Sequence, residues 1–280
     1  MDIKLLLDTP PWEWPPNAGK VFRKILTNRR ASESDRLAAA ELAGDFTVIN
    51  DDLADALLTV VGSAAEPEPL RARAAISFGP ALEQAFTEEF IDPDEVPITE
   101  PMFRKIQDSL QKLFLDTSTP KEVRRRILEA SVRAPEDWHP DAIRSAYASG
   151  DREWMLTAVF AMRFVRGFFD EQILAALKSP DPEIHSEAIQ AAGTWALDAA
   201  WPHIVTLIND PGTDKALLLA AIEAVGSIRP AEAPEILSEL AESDDEDITD
   251  AVEETIAMAQ GELALDDEED EDDDEDDWVN

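Results

Sequence analysis

The residue types that most often do chemistry are few in this chain, and their spacing forms none of the common catalytic motifs. The three histidines are His139, His185 and His203, and they are followed by Pro, Ser and Ile. No Gly-rich phosphate loop, no Gly-x-Ser-x-Gly elbow and no His-Glu-x-x-His zinc motif occurs. The absence of cysteine excludes thiolate metal sites, disulfides and cysteine nucleophiles. We therefore expect no catalysis, no metal and no cofactor.

A basic cluster is the next candidate. Arg124, Arg125 and Arg126 are consecutive, and Arg133 follows two helical turns later. Neighbours on a helix are about 100° apart, so three consecutive arginines cannot share one face. The sequence favours guanidinium groups that are solvated or paired with acids of adjacent repeats. The alternative is a docking site for an anionic partner or for the chain's own acidic end.

The formal net charge of −37 is concentrated at the carboxyl end. Every residue from Asp266 to Asp277 is Asp or Glu, and no Lys or Arg follows Arg229. We expect a disordered acidic tail over residues 264–280, because like charges this close cannot compact. Trp278 would then be a lone aromatic group at the end of a tether. Such a field repels DNA, RNA and anionic lipid and attracts basic partners.

The acidic tail has three interpretations. It keeps an Ala-rich protein soluble and monomeric, it raises the rate at which a basic protein is captured, or it covers an Arg-lined face of the same chain. Divalent cations would be held only weakly, because the run offers no fixed cage.

Aromatic residues form two further candidate surfaces. The segment Asp8–Asn17 contains four prolines and should be extended, so Trp12 and Trp14 should point the same way. We interpret it as a strap over the first repeat, with an aromatic hook for a partner as the alternative. In Trp154–Phe169, helical spacing assigns most aromatic residues to the core. Arg163 and Arg166 interrupt this segment, so an exposed part of it would be a binding site.

A recurring pattern predicts the elements that position these residues. Ser186–Trp195 reads SEAIQAAGTW, and Leu219–Ile228, about 33 residues later, reads LAAIEAVGSI. The shared register indicates one helical hairpin that is repeated and stacked. Strands are not expected, because Val, Ile and Thr do not alternate with polar residues. Six hairpins should begin near Ala31, Leu70, Thr119, Asp151, Pro180 and Pro211, with an irregular insertion near 88–101 and a last helix at Asp247–Leu263.

The hairpins resemble HEAT repeats. The first helix of that family commonly reads Asp-Pro, then Val-Arg, then small residues and a closing Leu-Gly, and Ser179–Gly193 follows this frame. Pro180 and Ile184 hold the Pro and Val positions, while Ser179 replaces the Asp and His185 replaces the Arg.

Three further repeats carry the family's arginine. Arg36 and Arg71 each precede a glycine by eight residues, and Val123-Arg124 is a Val-Arg pair. The resemblance implies that such arginines pair with turn carboxylates and rigidify the stack.

The resemblance implies an all-α, right-handed α-solenoid of about six HEAT-like hairpins over residues 31–263. A Trp/Pro strap and short helix precede it at 1–30, and the disordered acidic tail follows at 264–280. The HEAT-like di-iron hydroxylases use His-Glu pairs as ligands, which this chain lacks. The HEAT-like DNA glycosylases need a basic groove.

We therefore expect a cytoplasmic, monomeric, non-catalytic interaction module that binds a basic or peptide partner as an adaptor, scaffold or chaperone-like factor. Neither a signal peptide nor a membrane span is expected from the apolar pattern. One alternative is a nucleic-acid-related protein, which binds DNA through the Arg cluster or mimics DNA with its acids. A further alternative is a lyase-like HEAT enzyme that acts on a bound cofactor.

Overall fold

The computed structural model describes residues 3–91 and 96–274, with side chains as far as 261. These residues form helices, turns and loops and contain no strand, which confirms the all-α prediction of stacked hairpins. The chain divides into two compact units, Met1–Ala142 and Ile143–Asn280. No helix of the described part is long and apolar enough to cross a membrane.

The first unit stacks its helices in two rows. In one row α5 packs between α3 and α8, and in the other α4 contacts α2 and α7. Ser32 and Asn50 cap α3 and α4 with their side-chain oxygens, as N-cap residues do. The helices are α1 Ile3–Leu7, α2 Ala18–Thr27, α3 Glu33–Leu42, α4 Asp51–Gly62, α5 Glu68–Ile76, α6 Gly79–Thr87, α7 Glu100–Leu115, α8 Lys121–Ser131 and α9 His139–Ala148, which continues into the second unit.

The family's arginine has the same role in three hairpins of this unit. The Nε of Arg36, Arg71 and Arg124 donates to the carbonyl ten residues earlier, at 3.1, 2.8 and 2.7 Å. Each of these carbonyls belongs to the penultimate residue of the preceding helix: Leu26, Val61 or Phe114. The last carbonyls of a helix have no partner within it, so the arginine satisfies one of them and joins successive hairpins. Arg36 also pairs with a turn carboxylate, Glu66, as the resemblance implies.

The second unit has one regular row, in which α10, α12, α14 and α16 pack in sequence. The carboxylates of Asp151, Asp181 and Asp214 cap the first three of these helices. The basic residue after the cap of α10, Arg152, reaches the cap of α12, since its Nε lies 2.5 Å from Asp181 Oδ2. The helices are α10 Arg152–Met162, α11 Asp170–Ala176, α12 Pro182–Thr194, α13 Trp201–Asn209, α14 Lys215–Ile228, α15 Ala233–Ile236 and α16 Glu246–Asp274.

The structure differs from the predicted boundaries in three places. Helix α6 is an additional helix between α5 and the predicted irregular insertion near 88–101. The second helix of the last hairpin is reduced to α15 and short 3-10 turns. Helix α16 continues past Leu263 into the acidic run, to Asp274. Residues 275–280 lie outside the described residues, so the disorder of that end stays a prediction.

His139 is a fully buried polar residue of the first unit. Its Nε2 lies 3.0 Å from Ser131 Oγ, and its Nδ1 accepts the backbone N–H of Glu136 at 2.8 Å. Burial lowers the pKa of His139 from 6.5 to about 4. Between these values the unfolded chain binds more protons than the folded chain, so stability is full above pH 6.5 and decreases as the pH falls towards 4.

We expect His139 to make the free energy of unfolding fall by roughly 3 kcal/mol between pH 7 and pH 4, at 1.36 kcal/mol per pKa unit. Urea denaturation of the wild type and of His139→Gln at both pH values isolates this effect from the many carboxylates. The stability difference between the two proteins should shrink as the pH falls. A difference that is constant with pH would mean that His139 does not titrate in this way.

Candidate partner-binding groove

A groove lies between α14 and α16 in the second unit, with a volume of about 390 Å³. The two helices approach closely at its floor, because a Cβ on Gly226 would lie 2.7 Å from Thr255 Cγ2. Ala251 and Ala259 complete a floor of small side chains. Met258, which is 66 % exposed, is the one long apolar side chain in the described lining.

Two carboxylates line this groove, Glu223 from α14 and Glu254 from α16. Both are exposed, while the residues that follow them, Ala224 and Thr255, are buried in the helix contact. Burial raises the pKa of Glu223, and the neighbouring Glu254 raises it further, against the opposite effect of Arg163. Since the two carboxylates repel each other, a cation placed between them would favour the ionised form of both.

Neither Glu223 nor Glu254 forms an ion pair or side-chain hydrogen bond among the described residues. Other acids of the same unit are neutralised by bases of the chain itself. The Lys215 ammonium lies 2.7 Å from Asp245 and 2.6 Å from Asp247. Arg229 pairs with Asp198 and Glu232, and Arg152 pairs with Asp181 and Glu183.

The groove can therefore accept a basic side chain. The aliphatic stem of a Lys or Arg packs on apolar surface while its charged head stays at the polar rim. Here the small-residue floor and Met258 would contact the stem, and the two carboxylates would contact the head. A guanidinium or ammonium donates to carboxylate oxygens in charge-assisted hydrogen bonds.

The sequence does not predict a site at these two glutamates, although the repeat register contains both. Gln190 and Glu223 occupy the same position in SEAIQAAGTW and LAAIEAVGSI, and Glu254 lies one repeat further along. Glu223 and Glu254 are exposed at this position, whereas Gln190 is half-buried and accepts a hydrogen bond from Arg163. A glutamate on the outside of a helix is ordinarily a solvated residue, so register alone does not single it out.

The predicted basic cluster is engaged within the first unit. Arg125 is 4 % exposed and donates to Glu122 Oε2 at 2.7 Å. Arg126 donates to the same residue at 2.8 Å and to Glu129 Oε2 at 2.6 Å. Arg124 lies over the Phe114 ring, and Arg133 pairs with Glu83. These contacts favour the interpretation of paired arginines over a phosphate-binding patch.

The two arginines of the aromatic segment differ from each other. Arg163 Nη1 donates to Gln190 Oε1 at 2.7 Å and lies 3.6 Å from Glu187, and the guanidinium carbon is 5.8 and 6.0 Å from the ring centroids of Phe160 and Phe164. Arg166 is exposed, with its guanidinium 6.0 Å from the Trp195 ring. Partner binding by either residue stays a prediction.

The prediction that Trp12 and Trp14 point the same way is wrong. Pro11–Glu13 form a turn of 3-10 helix, so residues two apart are not on the same side. Trp12 is 80 % exposed, whereas Trp14 packs edge-on against Phe22 and donates to the carbonyls of Leu6 and Thr9. Trp14 therefore has the strap role. Trp278 lies outside the described residues.

Comparison with known proteins identifies the class. Residues 171–257 match the family model of HEAT repeats, so this part of the chain consists of HEAT repeats. No curated protein matches its sequence.

Two solved structures resemble the chain. One is the crystal structure of an engineered protein from the Northeast Structural Genomics Consortium, with 17 % identity over 74 % of this chain and 96 % of the other, at a TM-score of 0.44. The other is human deoxyhypusine hydroxylase in complex with glycerol, with 15 % identity over 88 % of this chain and 97 % of the other, at a TM-score of 0.39.

Proposed function

We propose that this chain is a non-catalytic protein-interaction module, an adaptor or scaffold, that binds a basic segment of a partner protein in the groove between α14 and α16. The observation that carries the proposal is the pair Glu223 and Glu254. These two carboxylates face one cavity, and neither forms an ion pair among the described residues, although Arg163 acts electrostatically on Glu223. Stacked repeats contact only their neighbours and leave extended surfaces for partners, which supports a binding role.

The charge around the groove supports a basic partner. The net charge is −37, and α16, which forms one wall of the groove, continues into the acidic run. A strong field of one sign speeds the encounter with an oppositely charged protein, while close contacts decide which partner stays bound. The same field opposes binding to nucleic acid.

The test is the binding of a fluorescent Lys/Arg-rich peptide to the full-length protein, followed by anisotropy. We expect Glu223→Gln with Glu254→Gln to weaken binding about tenfold, because each exposed charge contact contributes roughly 0.5–1 kcal/mol. The same peptide with glutamine at every basic position should not bind.

The matched control removes two charges from the same unit outside the groove. Glu235 and Glu239 are exposed and do not line the cavity, so Glu235→Gln with Glu239→Gln should leave the affinity within about twofold of the wild type. Equal weakening by both double variants would show that bulk charge, and not the groove, holds the peptide. Unchanged binding by the groove variant would also overturn the proposal.

A further inference from the structure

The side chains of His185 on α12 and His203 on α13 meet between the two helices of one hairpin. Their Nε2 atoms are 2.7 Å apart, and both residues are half-buried. We propose that His185 and His203 form a two-imidazole binding site for a divalent late transition-metal ion. Imidazole nitrogen is a ligand suited to Cu, Ni and Zn.

The distance between the two nitrogens is compatible with two ligands of one ion. With metal–nitrogen bonds of about 2.0–2.1 Å, two cis ligands of a square-planar or octahedral ion lie about 2.9 Å apart, and two ligands of a tetrahedral ion about 3.3 Å apart. The observed 2.7 Å is nearer to the cis arrangement. The site should prefer Cu²⁺, because copper binds nitrogen ligands most tightly among the divalent first-row metals. Water would fill the remaining positions, because the described residues bring no third His, Asp or Glu to it.

Binding at this site needs a small rearrangement of protons and atoms. In the neutral pair one Nε2–H donates to the other Nε2. When the metal binds, the donor imidazole carries its proton on Nδ1, so that both Nε2 lone pairs face the ion. No net proton is released, and the nitrogens separate by a few tenths of an ångström.

His185 occupies the arginine position of the repeat, but it does not form the hydrogen bond by which the arginines join successive hairpins. It holds the position of Arg36, Arg71 and Arg124, each of which donates to the penultimate carbonyl of the preceding helix. The equivalent carbonyl here belongs to Ala175, the penultimate residue of α11. The His185 imidazole instead forms a hydrogen bond with His203 on the following helix.

One positive group opposes a cation at this site. Lys178 acts electrostatically on His203. Removing its charge should strengthen metal binding, whereas removing either imidazole should weaken it. The opposite effects of the lysine and histidine variants distinguish a metal site from a structural hydrogen bond between the imidazoles, and from weak metal binding by surface carboxylates.

The experiment adds Cu²⁺ or Ni²⁺ to tag-free full-length protein, with Mg²⁺ in excess to occupy the acidic residues. Isothermal titration calorimetry measures stoichiometry and affinity, and electron paramagnetic resonance of the Cu²⁺ form reports its nitrogen ligands. We expect one ion per chain with two imidazole nitrogens. His185→Asn and His203→Asn should each weaken binding at least about tenfold, and Lys178→Gln should tighten it.

Circular dichroism of each variant shows whether it folds. If an imidazole variant does not fold, the spectrum of the wild type and the response of Lys178→Gln still decide. Oxygen-only ligation of Cu²⁺ in the wild type, or affinities that no histidine variant changes, would overturn the proposal. The amino-terminal amine and the buried His139 are the same in every variant, so their contribution cancels.

Discussion

Replacing Arg36 with methionine is expected to lower the free energy of unfolding by about 3 kcal/mol, because the buried carboxylate of Glu66 then keeps only the exposed Arg29, at 3.4 Å, and the Leu26 carbonyl loses its donor. The side chains of Arg36 and Glu66 are only 9 % and 8 % exposed, and Nη1 lies 2.5 Å from Glu66 Oε2. The same guanidinium donates twice to the Leu26 carbonyl, at 3.1 and 2.8 Å. Methionine retains most of the aliphatic stem, so the loss reports on polar contacts more than on packing.

Urea denaturation measures this effect, and an exposed pair in the same unit provides the control. Arg23 and Asp52 are 2.6 Å apart, but their side chains are 48 % and 74 % exposed. Arg23→Met should therefore change stability by less than about 1 kcal/mol. Equal losses from the two substitutions would mean that the buried arginine does not hold the first hairpins together.

Replacing Gly44 with alanine is expected to lower the free energy of unfolding by about 3 kcal/mol or more, because the new methyl group would overlap backbone. A Cβ at Gly44 would lie 2.2 Å from the Ser77 carbonyl oxygen and 2.8 Å from Ser77 Cα. Ser77 Oγ also donates to the Ala40 carbonyl at 2.6 Å across the same contact. The segments that follow α3 and α5 would have to separate, and this bond would be lost.

A second glycine of the same unit provides the control, because its replacement by alanine creates no steric overlap. A Cβ at Gly62, the last residue of α4, has no atom within 4 Å. Gly62→Ala should leave stability unchanged or raise it by about 0.5 kcal/mol, because alanine restricts the unfolded chain. Thermal or urea unfolding of both variants measures the contrast. A Gly44→Ala variant as stable as Gly62→Ala would contradict the close contact between hairpins.

The repeat pattern predicted most of the fold because it reports burial at fixed spacing. Ala188 and Ala221, which align between repeats, are both fully buried. The pattern also contained the close contacts, since Gly193 and Gly226 share the register and each meets the next helix of the row. The repeat pattern did not predict the short helix α6 or the 3-10 turn at Trp12. Both depend on local contacts that interrupt the periodicity.

The groove and the histidine pair could not be predicted from the sequence, for a different reason. Glu223 and Glu254 matter only because two helices bring them to one cavity, and nothing in the local sequence marks either residue. His185 and His203 are separated by a loop and lie on different helices, a spacing that matches no metal motif. Conversely, the three consecutive arginines are conspicuous in the sequence, but Arg125 and Arg126 pair with Glu122 and Glu129 on the same helix, and Arg124 donates to the Phe114 carbonyl.

The most direct test of basic-segment binding uses the methionine methyl groups as reporters. The chain has five methionines, and Met258 lines the groove with 66 % of its surface exposed, whereas Met162 is fully buried in the same unit and Met102 is buried in the other. Full-length protein with carbon-13 methionine methyls would be titrated with the Lys/Arg-rich peptide and followed by nuclear magnetic resonance. We expect the Met258 resonance to shift saturably while those of Met102 and Met162 stay in place. A peptide that binds without moving Met258 would show that recognition lies outside the groove.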